Sequence, residues 1–452
     1  MSVKYVKIAA AVSAVLAANS AFAVDEAFTI LAESRGNVLA VAGASAGRDS
    51  FLAVLLSANG PCVANTVDVY RAFPTGNQDF LAYSCQLKPV AQAPQLGTIA
   101  GQDAVVYYRA EGGSAWGPVS LIPNNTVNTP AGSIKRLYVT AACVTTTELT
   151  SGRPTHDCPV TGYSLANDTV NPGSLLVNDL TDLAVSDVEP KMFTDSNYPW
   201  GNVFLPFSPT QATALNGFTY ETGYNQVFGV IVNTGGATAT VLNLTKQDLA
   251  AIFSGAYSDW SQVPRQDNVT TFPAGQIIVC RREPGSGTQI IAAAKFLNTN
   301  CGDSRPFVTD TSPGTSDGVV QAHSPGLLEF CVASNPGAIG VNVFKSPAPA
   351  TTRYVSINGI APNKITAALG QYPIWNELTF TKRPGLSSSR PRANILANSL
   401  IDRSQFATAV PDTASTFAIP SASNLPQVPV SLADPVGLGT TNGKTCISQA
   451  GI

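Results

Sequence analysis

Short apolar runs alternate along the chain with glycine-rich turns and helix-like stretches. The runs are Asn37 to Val41, Asp103 to Tyr108, Leu180 to Val185, Gln226 to Val232 and Ile277 to Cys280. Helix-like stretches follow two of them, at Ser50 to Ser57 and at Gln289 to Leu297. This alternation is typical of buried strands in an α/β fold. Ligands collect at the carboxyl ends of such strands, so the turns that follow them are candidate binding loops.

The turn after the last run, Arg282 to Thr288, has the strongest chemical pattern. Gly285 and Gly287 allow a close approach of the backbone to a ligand, while Ser286 and Thr288 can cap the following helix or donate to an anion. Arg282 offers a planar fork to two ligand oxygens. The turn therefore predicts a site for a tetrahedral oxyanion, and an ordinary helix cap remains the alternative.

The first 23 residues predict a cleavable secretory signal peptide. Lys4 and Lys7 precede an apolar core, and Ala21-Phe22-Ala23 forms a cleavage site before Val24. A lipid anchor is not expected, since no cysteine stands at that point. Elsewhere the chain lacks the ~18 consecutive apolar residues of a membrane span, which predicts a periplasmic or secreted protein with no membrane span after signal removal.

Charge and composition describe the exported part of the chain. Without the two signal lysines it has 24 basic and 29 acidic residues, so no affinity for nucleic acid is expected. With 37 glycines and 32 prolines it is rich in loops, and its length is sufficient for two or more domains.

All eight cysteines lie in the exported part. An even number in an oxidising compartment favours disulfides over metal ligation. Proximity in sequence suggests Cys62 with Cys85 and Cys143 with Cys158. The pairing of the other four stays open.

Two segments depart from the alternating pattern. Leu121 to Asn178 is rich in Thr, Asn, Pro and Gly and predicts an elaboration of one lobe. Pro384 to Gly443 is rich in Ser, Pro and Ala and predicts a tail that wraps the surface in extended form.

Four segments, read in order, resemble the phosphate-binding proteins of Pst-type ABC importers, which have the type 2 periplasmic-binding fold. They are Ala42 to Gly47 (loop 1), Tyr108 to Gly117 (loop 2), Ala184 to Asp187 (loop 3) and Arg282 to Thr288 (loop 4). Leu244 to Trp260, with its Ile-Phe-Ser-Gly sequence, and Asn335 to Gly340 add to the resemblance.

The resemblance implies a set of phosphate-binding residues: Ser45, Ala46, Ser114, Asp187, Arg282, Ser286, Gly287 and Thr288. Asp187 would be the single acceptor among donors. A carboxylate can accept the proton of hydrogen phosphate but repels sulfate, so Asp187 would set specificity. The alternative for Asp187 is a Ser-Asp turn that caps a nearby helix.

The chain also departs from the family pattern. Pro284 stands where the family usually has an acidic residue, and Ala46 replaces a bulkier one. Ser114 follows Ser45 by 69 residues and precedes Asp187 by 73, longer intervals than in typical importer receptors. Insertions in the first lobe therefore accompany the resemblance.

Catalytic chemistry has little support in the sequence. His156 and His323 lack ligand spacing and are expected at the surface. Neither a nucleotide-binding motif nor a Gly-x-Ser-x-Gly elbow is present, so no enzyme, metal or cofactor is predicted. A phosphatase on the same scaffold would need an activated nucleophile that the sequence does not show.

Together these observations predict a two-lobed α/β protein of the type 2 periplasmic-binding fold, with insertions in the first lobe and an extended C-terminal tail. Residues 24–230 and 345–452 would form lobe 1, and residues 231–344 lobe 2. The expected function is non-catalytic capture of phosphate between the lobes, with an ABC permease as the implied partner. The alternative is a secreted structural or adhesive protein whose anion site is altered or vestigial.

Overall fold

The structure is a computed structural model. It describes residues 26–57, 60–73, 80–110, 113–122, 133–150, 152–162, 172–193, 214–215, 217–265, 269–283, 285–297, 318–405 and 416–417. The predicted signal peptide, Trp200, Pro284, Cys301 and Cys446 lie outside these residues.

The described chain consists of α-helices and a larger number of β-strands. The helices are α1 (Glu26–Arg35), α2 (Arg48–Leu56), α3 (Trp116–Ser120), α4 (Lys246–Phe253), α5 (Gly287–Leu297), α6 (Pro325–Ser334), α7 (Lys364–Ala368), α8 (Leu386–Ser389) and α9 (Pro391–Gln405). The first nine strands are β1 (Val38–Gly43), β2 (Asp68–Phe73), β3 (Phe80–Gln86), β4 (Asp103–Arg109), β5 (Ser133–Leu137), β6 (Val144–Thr150), β7 (Arg153–Pro159), β8 (Leu176–Leu180) and β9 (Leu183–Ser186). The others are β10 (Glu221–Asn233), β11 (Asn243–Leu244), β12 (Ile278–Arg282), β13 (Val319–Ala322), β14 (Ala338–Val343), β15 (Thr352–Tyr354), β16 (Ser356–Ile357), β17 (Trp375–Lys382) and β18 (Thr416–Phe417).

Fourteen strands form one mixed sheet in the order β13-β12-β14-β10-β17-β9-β1-β4-β3-β2-β7-β6, with β15 and β18 also paired to β10. We call β10 and β17 the crossing strands, the strands from β9 to β6 the first half-sheet, and β14, β12 and β13 the second half-sheet. Within the 13-residue β10, Glu221 to Val227 pairs with β17, while Phe228 to Val232 pairs with β14. One strand therefore joins both half-sheets.

The hydrophobic core follows the same division. One cluster packs the first half-sheet against α2 and α9, through residues such as Leu39, Phe51 and Leu396. A second packs β10 and β14 against α4 and α5 and extends to Trp116 at the end of loop 2. Helices on a mixed sheet confirm the predicted α/β class.

The short strands after β14 pair with β10 and β11, not with the first half-sheet. Residues 352–354 pair with β10 beside Ile231, and residues 356–357 pair with β11. Val355, Ile357 and Ile374 belong to the core of the second half-sheet. The sequence places the return to lobe 1 at about residue 345, and this pairing leads us to propose a return at β17.

The insertion and the tail take definite structure where they are described. From the insertion, β7 pairs with β2 and β6 with β7, so these strands lengthen the first half-sheet. Residues 386–405 of the tail are helical rather than extended. Their apolar side chains, including Leu396 and Leu400, are buried against the first half-sheet because they recur at helical spacing.

Three disulfides lie within the described residues. Cys62–Cys85 and Cys143–Cys158 confirm the pairs expected from sequence proximity. The third, Cys280–Cys331, joins β12 to α6 and was not expected. None of the described helices is long and apolar enough to cross a membrane.

The expected surface position of His156 is wrong. Its side chain is buried and stacks on Tyr70, with ring centroids 4.5 Å apart. Its Nδ1 shares a 3.0 Å hydrogen bond with Thr145 Oγ1. His323 is half-exposed, as its side chain retains 48% of its accessible surface. Trp116, Trp260 and Trp375 are buried in the hydrophobic core.

Candidate functional site

Three of the four loops start from neighbouring strands. β1 pairs in parallel with β4 on one side and with β9 on the other, so loops 1, 2 and 3 leave the same edge of the first half-sheet. Loop 4 follows β12 in the second half-sheet. The carboxyl ends of these strands therefore collect all four sequence segments around one place.

Loops 2, 3 and 4 are in direct contact. The Ser114 hydroxyl donates to Asp187 Oδ2 at 3.0 Å, and the Asp187 N–H donates to Ser114 Oγ at 3.2 Å. Gly287 lies against both residues: a Cβ on this glycine would stand 2.5 Å from Ser114 Oγ and 2.6 Å from Asp187 Cβ. The Ala115 N–H donates to the Gly285 carbonyl at 2.9 Å, which closes the two halves on each other.

Arg282 is almost completely buried, with 1% of its surface exposed. Its Nε donates to the Ala322 carbonyl at 3.2 Å, and its Nη2 lies 3.2 Å from the His323 carbonyl and 3.4 Å from Ser45 Oγ. These bonds fix the plane of the guanidinium in front of loop 1.

A buried carboxylate stands behind this arginine. Glu283 Oε1 lies 4.0 Å from Arg282 Nη2, and Glu283 Oε2 lies 2.8 Å from Nδ1 of His323. No pattern in the sequence predicts this chain of groups, since its only signal is the adjacency of Glu283 and Arg282.

Helix α5 begins at Gly287, within loop 4, so the free N–H groups of its first turn lie at this end of the site. The Gln289 N–H donates to Ser286 Oγ at 3.4 Å, so Ser286 does cap the helix, and its hydroxyl proton is not used by that bond. The buried Oγ1 of Thr288 has no hydrogen-bond partner among the described residues. Most buried polar atoms in proteins have a hydrogen-bond partner, so this hydroxyl is available to a bound water or anion.

Asp187 is the acidic group of the site, with 3% of its surface exposed. Its Oδ1 also has no hydrogen-bond partner among the described residues. Burial raises the pKa of this carboxyl to about 6, although the Ser114 hydrogen bond and the charge of Arg282 act in the opposite direction. The turn hydrogen bond to the Val188 N–H is accepted by Ser186 Oγ, which leaves the Asp187 carboxyl free of capping.

Loop 1 is held from below by one buried residue of β4 and one of β10. Tyr108 donates to the Ala44 carbonyl at 2.7 Å, and Gln226 Nε2 donates to the Ala46 carbonyl at 2.9 Å. Ser45 is half-buried and Ala46 is buried. Only the strand pairing brings Gln226 to this loop, so no sequence signal could have found it.

The arrangement places hydrogen-bond donors opposite one acceptor in a buried place. Arg282, Thr288 and the start of α5 supply donors and positive potential, and Asp187 supplies the acceptor. Such a set suits a partly protonated tetrahedral anion. Among the described residues, no group of three or more His, Cys, Asp and Glu side chains could hold a metal ion.

Comparison with known proteins shows which protein family and which relatives this chain resembles. The family model of the PBP superfamily domain matches residues 211–385. The phosphate-binding protein PstS of Bacillus subtilis is 26% identical over 137 residues, which are 30% of this chain and 39% of that relative. The match thus spans well under half of the relative's length.

Two solved structures are also similar in part. An ABC-type phosphate transport receptor from Vibrio cholerae is 18% identical, with a TM-score of 0.32, over 49% of this chain and 74% of that one. The high affinity periplasmic phosphate-binding protein PfluDING is 17% identical, with a TM-score of 0.38, over 68% and 89% of the two chains. The matches to the superfamily domain and to PstS confirm the resemblance of this chain to the Pst-type phosphate-binding proteins.

Proposed function

We propose that this protein binds inorganic phosphate, or a similar tetrahedral oxyanion, between its two half-sheets without transforming it. The observation that supports the proposal most is the environment of Asp187. Its buried carboxyl has no hydrogen-bond partner for Oδ1 among the described residues, lies against Gly287 at the start of α5, and interacts electrostatically with Arg282. The residues proposed to contact the anion are Ser45, Ala46, Ser114, Asp187, Arg282, Ser286, Gly287 and Thr288.

Asp187 gives the site a means of choosing its anion. An ionised carboxylate accepts the P–OH proton of hydrogen phosphate and thereby forms a charge-assisted hydrogen bond. Sulfate has no proton to share near neutral pH, so its charge meets the carboxylate directly. Phosphate is therefore bound in preference to sulfate above the pKa of Asp187.

The proposal extends to ABC-type uptake from the periplasm. The apolar N-terminal segment and the disulfides fit an exported protein, and the match to a phosphate-binding protein supports an anion receptor, from which a permease would take up the anion. Binding between two halves that share β10 and β17 allows closure to accompany capture.

Alanine variants of the two charged residues test the proposal. Arg282→Ala and Asp187→Ala are expected to abolish tight phosphate binding in calorimetric titration, while circular dichroism shows a retained fold. Arg281→Ala is the control for loss of a buried arginine on β12: the Arg281 Nε donates to the main-chain carbonyl of Arg282, and the Arg281 side chain is not among the groups proposed to contact the anion. Unchanged phosphate affinity in both Arg282→Ala and Asp187→Ala would refute the proposal.

A further inference from the structure

The crossing strands present one common face to loops 1 and 3. Gln226 of β10 lies directly opposite Asn376 of β17, and opposed residues of an antiparallel pair point to the same face. Their neighbours on that face also meet loop 1: the Tyr224 hydroxyl donates to the Gly47 carbonyl at 3.3 Å, and Leu378 packs on Gly47. The strands that join the two half-sheets thus form the floor of these loops.

On the β10 side, Gln226 supports loop 1. Its Nε2 donates to the Ala46 carbonyl at 2.9 Å, and the residue is 1% exposed. The buried Oε1 has no hydrogen-bond partner among the described residues. A buried amide with an unpaired oxygen lowers stability, so packing alone does not explain a glutamine at this position.

On the β17 side, Asn376 supports loop 3. Its Nδ2 donates to the main-chain carbonyl of Asp187 in a short hydrogen bond. Asn376 is half-buried, and its partner is the residue whose carboxyl is proposed to read the protonation of the anion. The amide therefore fixes the backbone that carries this carboxyl.

We propose that Gln226 and Asn376 are a pair of positioning residues that couple the crossing strands to the anion site, an inference that rests on the function proposed above. Each donates from one member of a directly opposed pair to the carbonyl of a different binding loop. The register of β10 against β17 therefore sets where these two carbonyls lie, and with them the positions of loops 1 and 3 in the site.

The two amides act on different parts of recognition. Loop 1 offers neutral donors, which treat phosphate and sulfate alike, whereas Asp187 in loop 3 distinguishes them. Loss of the Gln226 donor should therefore lower the affinities for phosphate and for sulfate by the same factor. Loss of the Asn376 donor should lower the affinity for phosphate. It should also lower the selectivity ratio, which is the Kd for sulfate divided by the Kd for phosphate.

Calorimetric titration of phosphate, with sulfate as competitor, tests this division in the full chain at pH 8. Gln226→Met keeps the length of the side chain but removes the donor, and Asn376→Ala removes the other. We expect each variant to raise the Kd for phosphate by about tenfold, the effect of one buried hydrogen bond. Only Asn376→Ala should lower the selectivity ratio.

Asn342→Ala is the matched control. Asn342 is a fully buried carboxamide of β14 that donates to the Pro325 carbonyl and to Glu329 in α6, not to a carbonyl of loop 1 or loop 3. It should lower Tm but leave the Kd for phosphate unchanged. If Gln226→Met fails to fold, the half-buried Asn376 carries the test through Asn376→Ala and Asn376→Ser.

Three results would overturn the inference. The first is a Kd for phosphate within twofold of wild type in both Gln226→Met and Asn376→Ala. The second is a loss of phosphate affinity in Asn342→Ala as large as in those two variants. The third is an unchanged selectivity ratio in Asn376→Ala. A wild-type protein that does not bind phosphate would instead refute the proposed function, and the inference with it.

Discussion

Ser114 and Asp187 hold each other by two hydrogen bonds in opposite directions. The Ser114 hydroxyl donates to the Asp187 carboxylate, and the Asp187 main-chain N–H donates back to Ser114 Oγ. The two residues are 73 positions apart in sequence and come from loops that follow parallel neighbours of β1. Their reciprocal bonding fixes the one carboxyl of the site while its second oxygen remains without a partner among the described residues.

Replacement of Asp187 by asparagine should change which anion is bound. In Asp187→Asn the negative charge is gone and an N–H donor faces the ligand, so sulfate affinity at pH 8 should rise at least about tenfold while phosphate loses its preference. Competitive titration of both anions measures the change. The exposed Asp402 supplies a control: Asp402→Asn also removes one negative charge and should leave the affinities for both anions unchanged. Continued exclusion of sulfate by Asp187→Asn would contradict the role of this carboxyl.

The same substitution should change stability with pH in the ligand-free protein. The folded pKa of Asp187 is raised from 3.8 to about 6, so its contribution to the free energy of unfolding is full below pH 3.8 and is lost as pH rises through 6. Above pH 7, Asp187→Asn should therefore be more stable than wild type by up to about 3 kcal/mol, and the gain should vanish at pH 4. Urea unfolding at several pH values checks this. A gain independent of pH would show that the carboxyl is not desolvated.

A methyl group at Gly287 should block the contact between the halves. In Gly287→Ala the new Cβ would stand 2.5 Å from Ser114 Oγ and 2.6 Å from Asp187 Cβ, closer than atoms can pack. Overpacking costs about 1–3 kcal/mol, so the Kd for phosphate should rise about tenfold or more. Gly326→Ala, at a helix position where the nearest atom would be 4.0 Å away, should bind normally. Equal affinities in the two variants would mean that loop 4 does not close on Ser114.

The Cys280–Cys331 disulfide should support the site as well as the fold. It spans 51 residues, so its loss should destabilise the protein by about 4 kcal/mol in the chain-entropy account. Because Cys280 lies two residues before Arg282 on β12, the double alanine variant should also bind phosphate more weakly. Loss of Cys143–Cys158, with a separation of 15 residues at the far end of the sheet, should lower stability but not affinity. Urea unfolding and phosphate titration separate the two effects, and equal affinity losses would contradict the local role of Cys280.

The sequence was sufficient to predict the strands that carry the loops. β1, β4 and β12 appear as apolar runs because they are buried on both faces, and the glycines after them mark the turns. The helical part of the tail was missed for a compositional reason. Ser and Pro dominate the segment and conceal Ala393, Leu396, Ala397 and Leu400, whose spacing follows one face of a helix.

Other features depend on tertiary contacts that no local pattern encodes. His156 is buried because β7 pairs with β2 beside Tyr70, and the insertion gave no sign of that pairing. Cys280 and Cys331 are too far apart in sequence for proximity to pair them. Gln226 and Asn376 become neighbours only through the register of the crossing strands.

The central claim is that this chain captures phosphate and rejects sulfate. The most direct test is calorimetric titration at pH 8 with each anion separately, on protein that has been unfolded and refolded to remove any retained ligand. At this pH Asp187 is ionised, so we expect saturable binding of one phosphate per chain and no heat of binding with sulfate. Absence of phosphate binding, or equal binding of both anions, would contradict the account.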